Sequence, residues 1–334
     1  MRRLDARHDR FALNRPFRIS RGQKVAADVV TVTIAEGDAI GRGEGVPYAR
    51  YGETIEGALA AIAGVGEAVA AGATRGELMR LLPAGAARNA VDAAMWDLEA
   101  RVAGTSVAAL AGLPPLGPVA SAITIGIDAL DVVSAEAAKH AGVPLLKLKV
   151  DRSDPEARIA AVRAAAPRPQ LIVDPNESWT IDEVLRLQQF LVDHRVDLLE
   201  QPLPAAEDAA LEGFASRIPI CADESLHTAA DLPALRGRYS VVNVKLDKTG
   251  GLTEAIALAD AARGQGFGLM IGCMVASSLG IAPAMLLAQD AAFVDLDGPL
   301  WLAEDRPGGV VDDGGGVLLP PAPGFWGTPP GTPA

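Results

Sequence analysis

A chain of 334 residues, 49% of them hydrophobic, can bury a core large enough for one α/β domain and a smaller companion, which excludes a chain disordered throughout. A formal charge of -12 and an aromatic content of 4% exclude a basic, base-stacking surface, so no nucleic-acid partner is expected. No run approaches the roughly 20 apolar residues of a membrane span, and Met1 to Phe11 lacks the apolar core of a signal peptide, so the expected location is cytoplasmic, away from the membrane.

The chain opens with alternating strand patterns such as Val29-Val30-Thr31-Val32-Thr33-Ile34. A helical stretch follows from Ala86 to Ala103, ahead of the turn-rich Gly112-Leu113-Pro114-Pro115. This predicts a small N-terminal α+β domain over residues 1–117.

From Val119 apolar β-type runs alternate with helical ones. The predicted strands are Ser121 to Ile127, Leu145 to Val150, Gln170 to Asp174, Asp197 to Glu200, Ile218 to Asp223, Val241 to Lys245, Gly268 to Gly272 and Phe293 to Asp297, with helices between them. Continuous apolar strands joined by helices indicate a parallel sheet covered on its outside, and eight such units close a barrel. A doubly wound sheet is the alternative, but no G-x-G-x-x-G follows the first strand. The barrel is expected over residues 118–300. After Trp301 no further unit is seen; Gly314-Gly315-Gly316 is a turn, and the last dozen residues are expected to be a mobile tail. Cys221 and Cys273 read as two buried thiols rather than a disulfide or zinc pair.

Active sites of such barrels lie at the carboxyl ends of the strands. Strands three, four and five end in Asp174, Glu200 and Asp223, and three carboxylates converging on one mouth would repel unless a cation sat among them. Oxygen-only ligands in an open site favour Mg2+, one ion per subunit. Lys147 and Lys149 on strand two face the same way, and their proximity is expected to lower the proton affinity of at least one. Lys245 ends strand six, opposite strand two, so a substrate held between them meets an amine on each face. None of His8, His140, His194 or His227 ends a strand, which leaves lysine as the candidate base on both sides. Taking a proton from one face of an α-carbon and returning it to the other inverts that centre, with the metal stabilising the enediolate between. Asp295 and Asp297, two apart on strand eight, suit capture of a substrate ammonium group or a second metal.

The segments Lys147-Leu148-Lys149, Asp174-Pro175-Asn176-Glu177-Ser178, Glu200-Gln201-Pro202, Ala222-Asp223-Glu224-Ser225 and Lys245-Leu246-Asp247-Lys248-Thr249-Gly250-Gly251 together resemble the muconate-lactonizing subgroup of the enolase superfamily. Asp295-Leu296-Asp297 resembles the signature of its dipeptide epimerases, and Pro47 to Glu53 and Leu82 to Asn89 resemble their capping domain. The resemblance implies a modified TIM barrel, (β/α)7β, under an N-terminal α+β cap that residues 301–334 return to complete. It implies an isomerase epimerising dipeptides of the L-Ala-D/L-Glu type, in murein peptide recycling. Lys149 and Lys245 would be the acid/base catalysts, Asp174, Glu200 and Asp223 the magnesium ligands, and Lys147 a partner of the substrate carboxylate. Thr124 would touch the dipeptide backbone, Cys273 and Met274 would line its pocket, and Arg21, with Arg18 and Lys24 as rivals, would pair with the glutamate side chain. Cycloisomerisation or o-succinylbenzoate synthesis on the same scaffold, epimerisation of other dipeptides, and a non-catalytic metal or small-molecule binder are the competing readings. The expected partner is a small dipeptide, and homo-oligomerisation is left open.

Overall fold

The computed structural model describes residues 1–328. Arg3–Ile19, Gly22–Glu36 and Ala39–Gly45 form a three-stranded antiparallel sheet, and Val30, Val32 and Ile34, two apart, turn one face of it onto a helical layer. The helix Ala86–Ala103 crosses the third strand at backbone contact. Gly41, Gly43 and Gly45 alternate along one face of that strand and meet Ala94, Ala90 and Ala86, every fourth residue of the helix; a Cβ on Gly43 would stand 2.1 Å from the Ala90 carbonyl oxygen. The helix stops at Gly104, whose left-handed backbone (φ 62°) returns its N–H to the Ala100 and Arg101 carbonyls.

Eight parallel strands follow, hydrogen-bonded in chain order: Ile123–Ile125, Leu145–Lys149, Gln170–Asp174, Leu198–Glu200, Ile220–Ala222, Val241–Lys245, Gly268–Gly272 and Phe293–Asp295. The Ala122 N–H donates to the Val294 carbonyl at 2.8 Å, which brings the eighth strand back onto the first. At this seam side chains replace backbone pairing. Thr124 N–H donates to Asp297 Oδ2 (2.7 Å) and Leu296 N–H to Ser121 Oγ (2.9 Å), which is why the first and eighth strands are shorter than Ser121 to Ile127 and Phe293 to Asp297. The crossovers are also less uniform than expected. Between strands four and five there is only the 3-10 turn Asp208–Leu211, in a stretch punctuated by Pro202, Pro204 and Gly213, and between five and six only short turns ending at Leu235.

One residue in or next to each strand plugs the floor of the barrel: Ala122, Leu145, Ile172, Leu198, Cys221, Val241 and Met270, with Phe293 packed against them. Cys221 is thus the buried thiol expected of it, whereas Cys273 is only partly buried.

Beyond the barrel, Val311–Asp312 and Val317–Leu319 form a hairpin that pairs with Val119–Ala120, turning through Gly314 (φ 87°) and Gly316 (φ 81°). Arg306 contacts Asp9, Thr31 and Glu44 of the N-terminal sheet. The expected mobile tail lies partly outside the described residues, at 329–334; its earlier part is packed, since Phe325 and Trp326 are buried and Trp326 Nε1 donates to the Ala93 carbonyl. Among the described residues, no helix is long and apolar enough to cross a membrane.

Candidate active site

Side chains two apart on a strand share a face, so the residues two positions beyond the floor form the next layer inside the barrel. They are Thr124, Lys147, Asp174, Glu200, Asp223, Asn243, Gly272 and Asp295, one in or just past each strand, and all but Gly272 are polar. Gly272 makes room: a Cβ there would stand 2.6 Å from Asn243 Oδ1 and 3.0 Å from Lys245 Cε. Two residues further along, Lys149 and Lys245 rise above the layer from strands two and six.

Lys147 is the hub. Its Nζ lies 2.7 Å from Asp295 Oδ2, 2.7 Å from Glu200 Oε2 and 3.2 Å from Asp174 Oδ2. Lys149 donates to Asp174 Oδ2 at 2.5 Å, and Lys245 to Asp223 Oδ2 at 2.7 Å. Burial alone would lower the lysines, yet the charges of Asp295, Glu200, Asp174 and Asp223 hold Lys147 well above its ordinary range, and those of Asp223, Glu200 and Glu224 do the same for Lys245. The expected lowering through lysine–lysine proximity is therefore reversed for Lys147, because carboxylates surround it.

Burial opposes ionisation of the acids, but Lys149 and Lys147 draw Asp174 down to about 2, and Lys245 and Lys248 hold Asp223 well below the usual carboxylate range. Glu200 goes the other way: burial, joined by the charges of Asp174 and Asp223, pushes it up to about 7. Asn243 Nδ2 donates to Glu200 Oε1 (2.9 Å), while Oε2, though close to Lys147, accepts no well-directed hydrogen bond. A fully buried carboxylate with one under-satisfied oxygen and two acidic neighbours fits an added cation. Asp174, Glu200 and Asp223 share this one layer, and lysine ammonium groups contact oxygens of all three.

Above this layer is a cavity of about 390 Å³. Thr124, Lys147, Lys149, Asp223, Lys245, Cys273, Met274, Asp295, Asp297 and Arg21 all line it, whereas Asp174 and Glu200 lie fully buried beneath. Asp297 accepts the Thr124 N–H and the Trp301 Nε1–H, and burial followed by the Asp295 charge pushes it up to about 6. The roof comes from the N-terminal region, where Tyr48, Arg50 and Tyr51 face the cavity. Arg21, at the tip of the first hairpin, donates to Glu224 Oε1 (2.7 Å), Glu177 Oε2 (3.1 Å) and the Asn176 carbonyl (2.9 Å). Of its rivals, Lys24 lines the cavity over the Tyr48 ring, while Arg18 bonds Gln23 and Asp128 and is not part of the wall.

Residue-by-residue reading gave no role to Asn243, Glu224 or Lys248. The period of two counted back from Lys245 could have found Asn243; Glu224 and Lys248 lie just past strand ends, where that period stops.

A lysine- and acid-lined mouth on a (β/α)7β barrel, roofed by an α+β unit, defines the architecture of an enolase-type barrel protein. Residues 1–112 match the N-terminal domain of the mandelate racemase / muconate lactonizing enzyme family and residues 131–327 the enolase C-terminal domain-like family. The chain belongs to the enolase superfamily, within its mandelate racemase / muconate lactonizing enzyme family. It is 48% identical over 307 residues to L-Ala-D/L-Glu epimerase of Escherichia coli K12 (91% of this chain, 96% of the relative), and 46% identical over 280 residues to N-acetyl-D-glutamate racemase of a Pseudoalteromonas species (83% and 89%). Among solved structures it resembles an enolase family member from Agrobacterium tumefaciens with homology to dipeptide epimerases, holding sodium and L-Ala-L-Glu, at TM-score 0.95 and 49% identity (98% of this chain, 100% of that one). A dipeptide epimerase from Enterococcus faecalis complexed with Mg and L-Leu-L-Tyr superposes at TM-score 0.88 and 30% identity (96% and 97%).

Proposed function

We propose that this protein is a magnesium-dependent dipeptide epimerase that inverts the glutamate α-carbon of L-Ala-D/L-Glu. The carrying observation is the pair Lys149 and Lys245, on opposite strands of the barrel, rising above a layer of buried acids. Asp174, Glu200 and Asp223 would hold Mg2+, which would take over the oxygens that lysines now occupy and would supply positive charge to the substrate carboxylate as its α-proton leaves. Lys147 adds a fixed ammonium beside that carboxylate. One of Lys149 and Lys245, as free amine, removes the α-proton from its face; the other, as ammonium, delivers a proton to the opposite face. The substrate's own ammonium group meets Asp295 and Asp297, Thr124 meets its backbone, and Cys273 and Met274 border its first side chain. Arg21, exchanging Glu224 and Glu177 for the substrate, or Lys24 beside it, meets the glutamate side chain. Such a reaction supplies or consumes the D-glutamyl peptides of murein turnover.

One observation favours a second substrate. Asp295 already has the Lys147 ammonium and Asp297 two N–H donors, so neither acid depends on a substrate amine for a partner. An N-acylated glutamate would then bind as well, in line with the similarity to N-acetyl-D-glutamate racemase. Incubation of L-Ala-L-Glu and of N-acetyl-L-glutamate with enzyme and Mg2+ in heavy water separates the two readings. Deuterium at the glutamate α-carbon with inversion is expected for the dipeptide; exchange of N-acetylglutamate alone would replace the first reading by the second, and exchange of neither, nor of any of a dipeptide panel, would reject both.

A further inference from the structure

Lys248 is fully buried, yet it is not part of the cavity wall and carries no step of the proton transfer. An ammonium in such a place is costly unless all three of its hydrogens find acceptors. They do: Nζ contacts Asp223 Oδ1 at 2.7 Å, the Asn243 carbonyl at 3.1 Å, and the Asp223 carbonyl. These acceptors lie just past the end of strand five and in the middle of strand six, so one side chain ties the two strands together beside the site. Asp223 is thereby gripped on both oxygens, by Lys248 on Oδ1 from behind and by Lys245 on Oδ2 from the cavity side.

The geometry points to Lys248 as a positioning residue: it fixes the rotation of the Asp223 carboxylate so that Oδ2 faces the cavity, and through Asp223 it sets the place of Lys245. The inference rests on the reading of Asp223 as a magnesium ligand and Lys245 as one of two bases. A bare counter-charge at this position would act in the opposite sense, because deleting a positive charge next to a carboxylate makes the site more attractive to a cation. Partners that orient a metal's ligands typically contribute about 10–100-fold to metal affinity or activity.

Two variants of equal charge separate the alternatives. Lys248→Met fills the volume without donors, and Lys248→Gln keeps an N–H2 group. Circular dichroism checks folding, titration calorimetry reads Mg2+ affinity, and α-proton exchange in heavy water is followed separately from each dipeptide isomer. The expected result is Mg2+ binding weakened by about 10–100-fold in Lys248→Met and by less in Lys248→Gln. Exchange should slow most from the isomer that Lys149→Ala still exchanges, the one served by Lys245; should Lys248→Met not fold, Lys248→Gln must show the same face preference. Unchanged or tighter Mg2+ binding, or equal slowing of both isomers, would overturn the assignment. A wild type that binds no Mg2+ would remove the metal reading itself, and a wild type that binds it while Lys248 variants match it would remove only this one.

Discussion

Lys149 and Lys245 stand four strands apart in a ring of eight, each bonded to a different buried carboxylate, Asp174 for one and Asp223 for the other. That separation makes their roles distinguishable. Lys149→Ala and Lys245→Ala should each abolish epimerisation, while each single variant still exchanges the α-proton of one isomer, and not the same one. NMR of deuterium incorporation reads this directly; two single variants that both epimerise normally would refute a two-base mechanism.

Chelation should affect stability as well as turnover. Glu200 is buried, acid-crowded and short of one hydrogen bond, so a bound cation should raise the melting temperature of the wild type and EDTA should lower it. Glu200→Gln removes the charge and should weaken Mg2+ by at least about tenfold, or ~1.4 kcal/mol. A thermal-shift titration with Mg2+ measures both, and a variant that responds like the wild type would exclude Glu200 as a ligand.

Asp297 provides a specificity test. Asp297→Asn can still accept the Thr124 and Trp301 N–H groups but loses its charge. The expected loss in kcat/KM for L-Ala-L-Glu is about 2–5 kcal/mol in transition-state stabilisation, as for a severed charge pair, with little change for N-acetyl-L-glutamate, which has no ammonium group.

Asp247 should shape the pH dependence of stability. Burial pushes it up to about 7 from 3.8, while its Oδ1 accepts the Val46 N–H and Asn89 Nδ2. Between those two values the folded protein keeps a proton that the unfolded chain has released, so this group's contribution to stability falls as pH rises through the window and is flat above it. Asp247→Asn retains the Oδ1 acceptor and removes the titration. Relative to wild type it should gain on the order of a few kcal/mol between about pH 4 and pH 8 in urea unfolding; parallel pH profiles would contradict this.

The contact between Gly43 and Ala90 leaves no room for a methyl group. Gly43→Ala should destabilise by about 1–3 kcal/mol or more by forcing strand and helix apart, visible as a lower urea midpoint with α-proton exchange retained in the folded fraction.

Much of this was legible in the residues themselves. The eight strands, their order and the acids and lysines at their ends follow from local apolar runs and from a side-chain period of two, which does not depend on distant contacts. Even the layered interior, with its apolar floor and the polar ring two residues above it, can be counted from the strands alone. What the residues could not show was which charges meet. Lys147 stands two residues from Lys149, a proximity expected to lower the proton affinity of at least one of the pair; only closure of the barrel brings Asp295, Glu200 and Asp174 around Lys147 and raises it instead. Arg21 finds Glu177 and Glu224 across 156 and 203 positions, and Lys248 finds Asp223, just past the end of the neighbouring strand, across 25. Strand periodicity is set by the backbone within a few residues, whereas the proton affinity of a buried group is set by every charge within several ångströms, and those neighbours exist only once the chain has folded.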